Sequence, residues 1–270
     1  IYYFLIYKLM KYLMKFDELD LLSDKSIDTL DNETVMSLLF KSRNKEIGDK
    51  LCTIINKFKI NKDWGNYKTP DEWFEDKEYK TFMQYFKRKL SKDKFDEIKS
   101  QKSNNMSLPC ECNIESIGKI NDVSSIIRLK KKTETVIKDL KKIGVKNVDN
   151  LSFINMKLLK VYYHRIHSPV SGKIKNIIEV SPDDNFFGEN NLWIVEISTV
   201  EFGNVYIILV GELSIQDFTF KVEKGDNIKM FDEIGNFNWA SQVIILYDKG
   251  KFNDIKIKSD KKYFIGEPIF

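Results

Sequence analysis

Two kinds of hydrophobic pattern divide this chain. Through NETVMSLLFKSRNKEIGDKLCTIINKFKI (residues 32–60) apolar residues recur every three or four positions, which predicts an amphipathic helix capped by Asn32 or Thr34. TPDEWFEDKEYKTFMQYFKRKLS (residues 69–91) reads as a second helical region opened at Pro70-Asp71. KTETVIKDLKKIGV (residues 132–145) reads as a short helix stopped by Gly144. From about Leu108 the grammar changes to β-branched and aromatic runs bounded by Gly, Asp and Asn. They are KIKNIIEV (173–180), NLWIVEIS (191–198), NVYIILVGEL (204–213), FTFKVEKG (218–225) and QVIILYDKG (242–250). Helices first and strands afterwards predict an α+β layout. The expected division is a helical region over 1–100 and a β-rich region over 101–270, with the two integrated.

The first sixteen residues, IYYFLIYKLMKYLMKF, fall short of a membrane-spanning run and are interrupted by Lys8, Lys11 and Lys15. On a helix these lysines share one face. The pattern suits a helix lying on a membrane surface, and it equally suits an amphipathic helix packed on its own domain.

Composition narrows the class. The 270 residues are 42% hydrophobic and 31% charged, which is a folded chain with enough length for a core. Lys+Arg 44 against Asp+Glu 40 leaves +4, too balanced to point to nucleic acid, so no nucleic-acid partner is expected. The three cysteines, Cys52, Cys110 and Cys112, make no disulfide framework and suit a reducing, intracellular compartment.

Candidate chemistry gathers in two places. Both histidines of the chain, His164 and His167, fall in YYHRIHSPVSGKI. With Cys110 and Cys112 they could supply four zinc ligands, but Cys-x-Cys is a poor spacing for a structural zinc site, and no metal is expected. Ser241, at the mouth of the last long strand in WASQVIILYDKG, is a candidate nucleophile, with a histidine as its base and a carboxylate to orient that base.

Taken together, five co-linear segments resemble the phosphatidylserine decarboxylase family. They are TFMQYFKRKLS (81–91), LPCECNIESIGKI (108–120), YHRIHSPVSGKI (163–174), TVEFGNVYIILVG (199–211) and KGDNIKMFDEIGNFNWASQVIILYDKG (224–250). The resemblance implies a β-rich catalytic core with barrel-sandwich strands like those of lipoyl domains. It implies self-cleavage between Ala240 and Ser241, giving fragments 1–240 and 241–270. The new terminus would carry a pyruvoyl group derived from Ser241, the electron sink for decarboxylation of phosphatidylserine to phosphatidylethanolamine. His167 becomes the base for Ser241, Glu111 its acidic partner, and His164 the residue that positions the carboxylate or reprotonates the carbon. Arg165 is assigned to substrate binding.

A lipid substrate favours the membrane-surface reading of residues 1–16 and a membrane-associated location, mitochondrial inner membrane or endomembrane. A homodimer is also implied. The sequence departs from the family pattern at the chemistry itself. Glu111 stands for aspartate, Cys112 for glycine, Ala240 for glycine and Gln242 for a small hydroxyl residue, while Glu212 and Asp217 lie near the expected phosphate site. The alternative is therefore a degenerate, non-catalytic paralogue that keeps the fold and binds lipid or a partner subunit.

Overall fold

The computed structural model describes residues 46, 49, 70–76, 78–100, 106–120, 133–159, 161–180, 192–211, 218–238 and 241–270. The expected helix at 1–16, that at 32–60 apart from residues 46 and 49, and the positions of Ala240, Glu212 and Asp217 lie outside them. The chain forms two compact units, Ile1–Ser91 and Lys92–Phe270.

In the first unit, residues 70–91 fold back on themselves instead of forming one long helix. A single 3-10 turn at Asp71–Trp73 is followed by extended Phe74, which bridges Leu90 in antiparallel fashion, with Ser91 N–H donating to the Trp73 carbonyl at 2.7 Å. Helix α1 is short, Phe82–Phe86, and starts in a capping box: the Thr81 hydroxyl accepts from the Gln84 amide while the Gln84 side chain accepts from the Thr81 amide. The periodicity over 69–91 serves a hydrophobic cluster built around a cation. The buried Arg88 guanidinium sits 4.4 Å from the Phe74 ring centre and 4.2 Å from that of Tyr85.

The second unit opens with α2 (Lys92–Ser100). There follow β1 (Cys112–Lys119), α3 (Thr133–Lys142), β2 (Leu151–Leu158), β3 (Arg165–His167), β4 (Gly172–Val180), β5 (Leu192–Ser198), β6 (Asn204–Val210), β7 (Phe218–Phe220), β8 (Asn227–Ile228), β9 (Glu233–Phe237), β10 (Ser241–Asp248) and β11 (Lys261–Tyr263). Eight strands make an antiparallel sheet in the order β11-β1-β2-β10-β6-β5-β4-β8, and β3-β9-β7 make a smaller one. The α+β class and the five quoted runs agree with this, although FTFKVEKG contributes only three strand residues. Strands β1, β2, β3, β8, β9 and β11 carry no comparable apolar run.

Around β5, β6 and β10 both faces of the large sheet are buried, and alternate residues divide between them. Phe153, Leu192, Ile194, Tyr206, Ile208, Ile244 and Leu246 form one cluster with Leu140 of α3. Gly144 ends that helix at φ +93°, where a side chain would be strained. On the opposite face Trp193 meets Phe218 of the small sheet, ring centres 6.4 Å apart, and Tyr247 meets the terminal Phe270 at 5.7 Å. The small sheet is closely stacked at Gly235 of β9, where a Cβ would stand 2.2 Å from the Thr219 carbonyl oxygen. Among the described residues no helix is long and apolar enough to cross a membrane.

Candidate active site

The large sheet and the histidine segment are stitched into a closed ring. Ser241, the first residue of β10, pairs with Leu158, the last residue of β2. Six residues after Leu158 comes His164, reached through a turn in which Tyr162 N–H donates to the Leu159 carbonyl at 2.8 Å. The His164 carbonyl in turn accepts from Phe237 N–H at 3.1 Å, at the end of β9. Ser241 lies four residues beyond Phe237, and a fully extended chain of that length spans at most about 14 Å. His164 and the start of β10 are thus held to one end of the sheet from two directions.

Both imidazoles are buried, and the backbone decides their tautomers. His164 Nδ1 lies 2.7 Å from the Tyr162 carbonyl oxygen. A carbonyl only accepts, so Nδ1 carries a proton, which fixes the ring's orientation. His167 repeats the arrangement: Nδ1 lies 2.7 Å from the Phe231 carbonyl oxygen, and Nε2 accepts from the Tyr163 hydroxyl at 2.9 Å. The ring is stacked on Tyr163 and covered by Phe95 of α2, both at 5.7 Å. Burial pushes the His167 pKa down to about 4, against the upward pull of the Phe231 carbonyl and of Glu233. The ring is neutral at pH 7, the state a base needs.

Arg165 lies between the histidines, and its guanidinium donates to Glu233 Oε1 at 2.6 Å, while Lys221 holds Oε2 at 2.6 Å. Burial alone would raise the Glu233 pKa. The bond from Lys221 and the charge and bond of Arg165 outweigh it and hold the carboxyl below its ordinary value. Arg165, to which sequence reasoning gave a substrate role, is placed in an ion pair with Glu233 of β9.

Glu111 is fully buried, with Oε1 2.6 Å from the Lys262 ammonium and Oε2 accepting from the Tyr163 amide at 2.9 Å. The contact between Glu111 and His167 described here runs through Tyr163, whose amide binds one and whose hydroxyl binds the other. Gln242 donates to the buried Asn155 of β2 at 2.7 Å. Cys110 and Cys112 are buried thiols. Burial, together with a bond to Cys112, pushes the Cys110 pKa well up, so it stays protonated. Among the described residues no group of three His, Cys, Asp or Glu side chains is placed to hold a metal ion.

Sequence reasoning missed Tyr163, Lys262, Glu233 and Phe231. A signal existed for Tyr163, which sits inside the histidine motif. Phe231 adopts φ +72°, a left-handed conformation that costs a bulky residue on the order of 1–3 kcal/mol. Only coordinates reveal that this strained residue presents its carbonyl to His167.

Comparison with known proteins supplies the remaining finding. Residues 82–270 match the family model described as phosphatidylserine decarboxylase. A phosphatidylserine decarboxylase proenzyme of Anoxybacillus flavithermus is 31% identical over 204 residues, covering 69% of this chain and 74% of the relative. One from Francisella tularensis subsp. novicida is 30% identical over 246 residues, covering 78% and 82% respectively. Phosphatidylserine decarboxylase proenzyme 2 of Komagataella phaffii is 26% identical over 205 residues, 68% of this chain, and the chain spans about 20% of that relative's length.

Proposed function

The chain belongs to the phosphatidylserine decarboxylase family, and we propose on that premise that it is a self-processing carboxy-lyase making phosphatidylethanolamine and carbon dioxide. The observation that carries this reading is the ring joining His164 to the first residue of β10 through Phe237 and Leu158.

In the proposed processing step the Ser241 hydroxyl oxygen attacks the Ala240 carbonyl carbon, and the hydroxyl proton passes to His167 Nε2. That transfer requires the Tyr163 hydroxyl to turn away from the same lone pair. The peptide C–N bond breaks as the ester forms, and the proton returns to the leaving amine. Loss of the Cα proton of residue 241, with departure of Ala240 as a free carboxylate, leaves dehydroalanine at position 241. Addition of water and loss of ammonia then yield a pyruvoyl group.

The fold suits such a terminus. β10 begins at Ser241 and runs between β2 and β6, and its Val243, Ile244, Ile245, Leu246 and Tyr247 are buried. Each such side chain contributes about 1.5–3 kcal/mol by burial, so β10 needs no bond upstream to stay in the sheet. When present, the pyruvoyl group supplies an electron sink for the loss of carbon dioxide. His164, whose Nδ1 is tied to the Tyr162 carbonyl, is the residue proposed to position the substrate carboxylate or to manage the proton at the product carbon. Residues 1–240 and 241–270 would remain associated.

The finer architecture belongs to the same proposal: barrel-sandwich strands in 101–270, a membrane-facing helical region in 1–100, location at an intracellular membrane surface, and a homodimer.

Two observations favour the second reading, a non-catalytic paralogue that binds lipid or a partner subunit. Glu111 is committed to Lys262, and Gln242 to Asn155. An intact-mass spectrum of the folded protein beside a denaturing gel decides between them. The expected result is two pieces, 1–240 and a pyruvoyl-bearing 241–270, with Ser241→Ala leaving a single chain. A folded wild-type protein that stays at 31.8 kDa removes the enzyme reading.

A further inference from the structure

The large sheet ends at β11, a three-residue edge strand whose Lys262 pairs in register with Asn113 of β1. Lysine on a short edge strand ordinarily faces water and guards the edge. This one does not: its side chain is only 8% exposed, and its ammonium lies 2.6 Å from Glu111 Oε1, on a carboxylate that is itself 1% exposed. The ammonium also sits 4.4 Å from the Tyr162 ring centre and 4.8 Å from that of Phe264. Two aromatic faces and one carboxylate make a built cation site.

The path continues inward. The second oxygen of Glu111 accepts the Tyr163 amide at 2.9 Å, and the Tyr163 hydroxyl donates to His167 Nε2 at 2.9 Å. We propose that Lys262 is a positioning residue for the histidine centre: its ammonium fixes Glu111, Glu111 fixes the Tyr163 backbone, and Tyr163 holds the imidazole of His167. The inference rests on the proposed function only in giving His167 a task; the linkage itself is independent of catalysis. It also assigns the longer side chain of Glu111 a use, since that carboxylate serves a lysine on β11 and an amide in the histidine turn together. Lys262 lies within 241–270 while Glu111, Tyr163 and His167 lie within 1–240. If the chain cleaves, this buried pair joins the fragment bearing the new terminus to the fragment bearing the histidines.

The test uses the full chain. Only two histidines are present, so 15N-histidine labelling resolves both rings, and amide exchange reads the Tyr163 N–H directly. Lys262→Met keeps an unbranched side chain between the two rings and removes the charge. The expected result is a shift of the His167 Nε2 resonance toward its value without a hydroxyl donor and Tyr163 amide exchange faster by tenfold or more, about what one charge-assisted hydrogen bond is worth. Lys262→Arg should restore both signals. If Lys262→Met fails to fold, the double variant Glu111→Gln with Lys262→Met leaves no lone buried charge and is predicted to show the same two changes.

A folded Lys262→Met, or the double variant in its place, with both signals as in the wild type overturns the proposal. So does a Lys262→Arg that behaves like Lys262→Met. Because these readouts need no cleavage, a wild-type chain that never self-processes defeats the enzyme reading and leaves this test standing.

Discussion

Strands β6 and β3 are both buried, and they are buried for opposite reasons. In β6 six of seven residues are buried and all six are apolar or aromatic, and three of them share one cluster with Leu140 of α3. In β3 all three residues are buried and two of them are Arg165 and His167. The apolar strand is held by many small, interchangeable contacts. The polar one is held by a few specific bonds, each from a distant part of the chain: Arg165 from Glu233, 68 residues away, and His167 from Phe231, 64 residues away. A core of the first kind tolerates substitution that conserves volume. In the second kind, loss of one partner leaves the other a part-buried group with less to compensate it.

That contrast predicts the largest effect. Arg165→Met keeps most of the side-chain volume and removes the charge from Glu233, which stays partly buried with only Lys221 beside it. The expected loss is about 3 kcal/mol in chemical denaturation, the low end for breaking a buried pair from one side, because Glu233 is part-exposed and keeps Lys221. Ile208→Val in β6 is an equally modest change of shape and is expected to cost only about 1 kcal/mol. Adding Glu233→Leu to Arg165→Met should recover much of the loss. If the single and double variants are equally stable, the stranded charge is not the reason, and the comparison between the strands fails.

A smaller effect appears in the pH dependence. His167 titrates at 6.5 when unfolded and at about 4 in the folded chain, because burial disfavours the charged ring. Between those values the unfolded state binds more protons, so the stability supplied by the neutral ring falls as pH drops from 6.5 to 4. The difference of about 2.5 units corresponds to about 3 kcal/mol across that window. His167→Gln should flatten this segment of the stability profile. A wild-type profile that is already flat there would mean that the imidazole is solvated or charged in the folded chain.

The same contrast explains what could be read from the sequence. β5, β6 and β10 are legible because a strand buried on both faces must be a nearly unbroken apolar run, while β4, with two buried residues in nine, shows only β-branched content. Ser241, His164 and His167 stood out as candidates because each lies in a short local motif, the serine in one and the histidines in another. The partners were not. Lys262 sits in SDKKYF, which reads as a solvated charge run, and nothing in those letters places it on Glu111, 151 positions upstream. The fold-back at residues 70–91 was hidden for a similar reason: helical spacing and a cluster around a buried Arg88 demand the same residue types. Pattern reports which faces are apolar, while polar partnerships depend on register between strands far apart in sequence.

Distance alone does not rank these partnerships, and Glu233 provides the sharpest check. Its two oxygens are each 2.6 Å from a cation, Arg165 on one side and Lys221 on the other. The two bonds are equal in length and differ in surroundings. The Arg165 side chain is 9% exposed, whereas that of Lys221 is 46% exposed. Water and salt screen the lysine, and its long side chain loses rotamer freedom on pairing, so its bond should contribute no more than about 1 kcal/mol. Lys221→Ala is therefore the smallest effect expected here. It should fade further in high salt, since a pair open to solvent is screened over a Debye length of about 3 Å at 1 M. The Arg165→Met penalty should persist under the same conditions. Denaturation curves of the two variants at low and high salt measure this directly. Equal penalties would mean that burial does not separate the two cations, and that the distinction between β3 and the rest of the surface has been drawn in the wrong place.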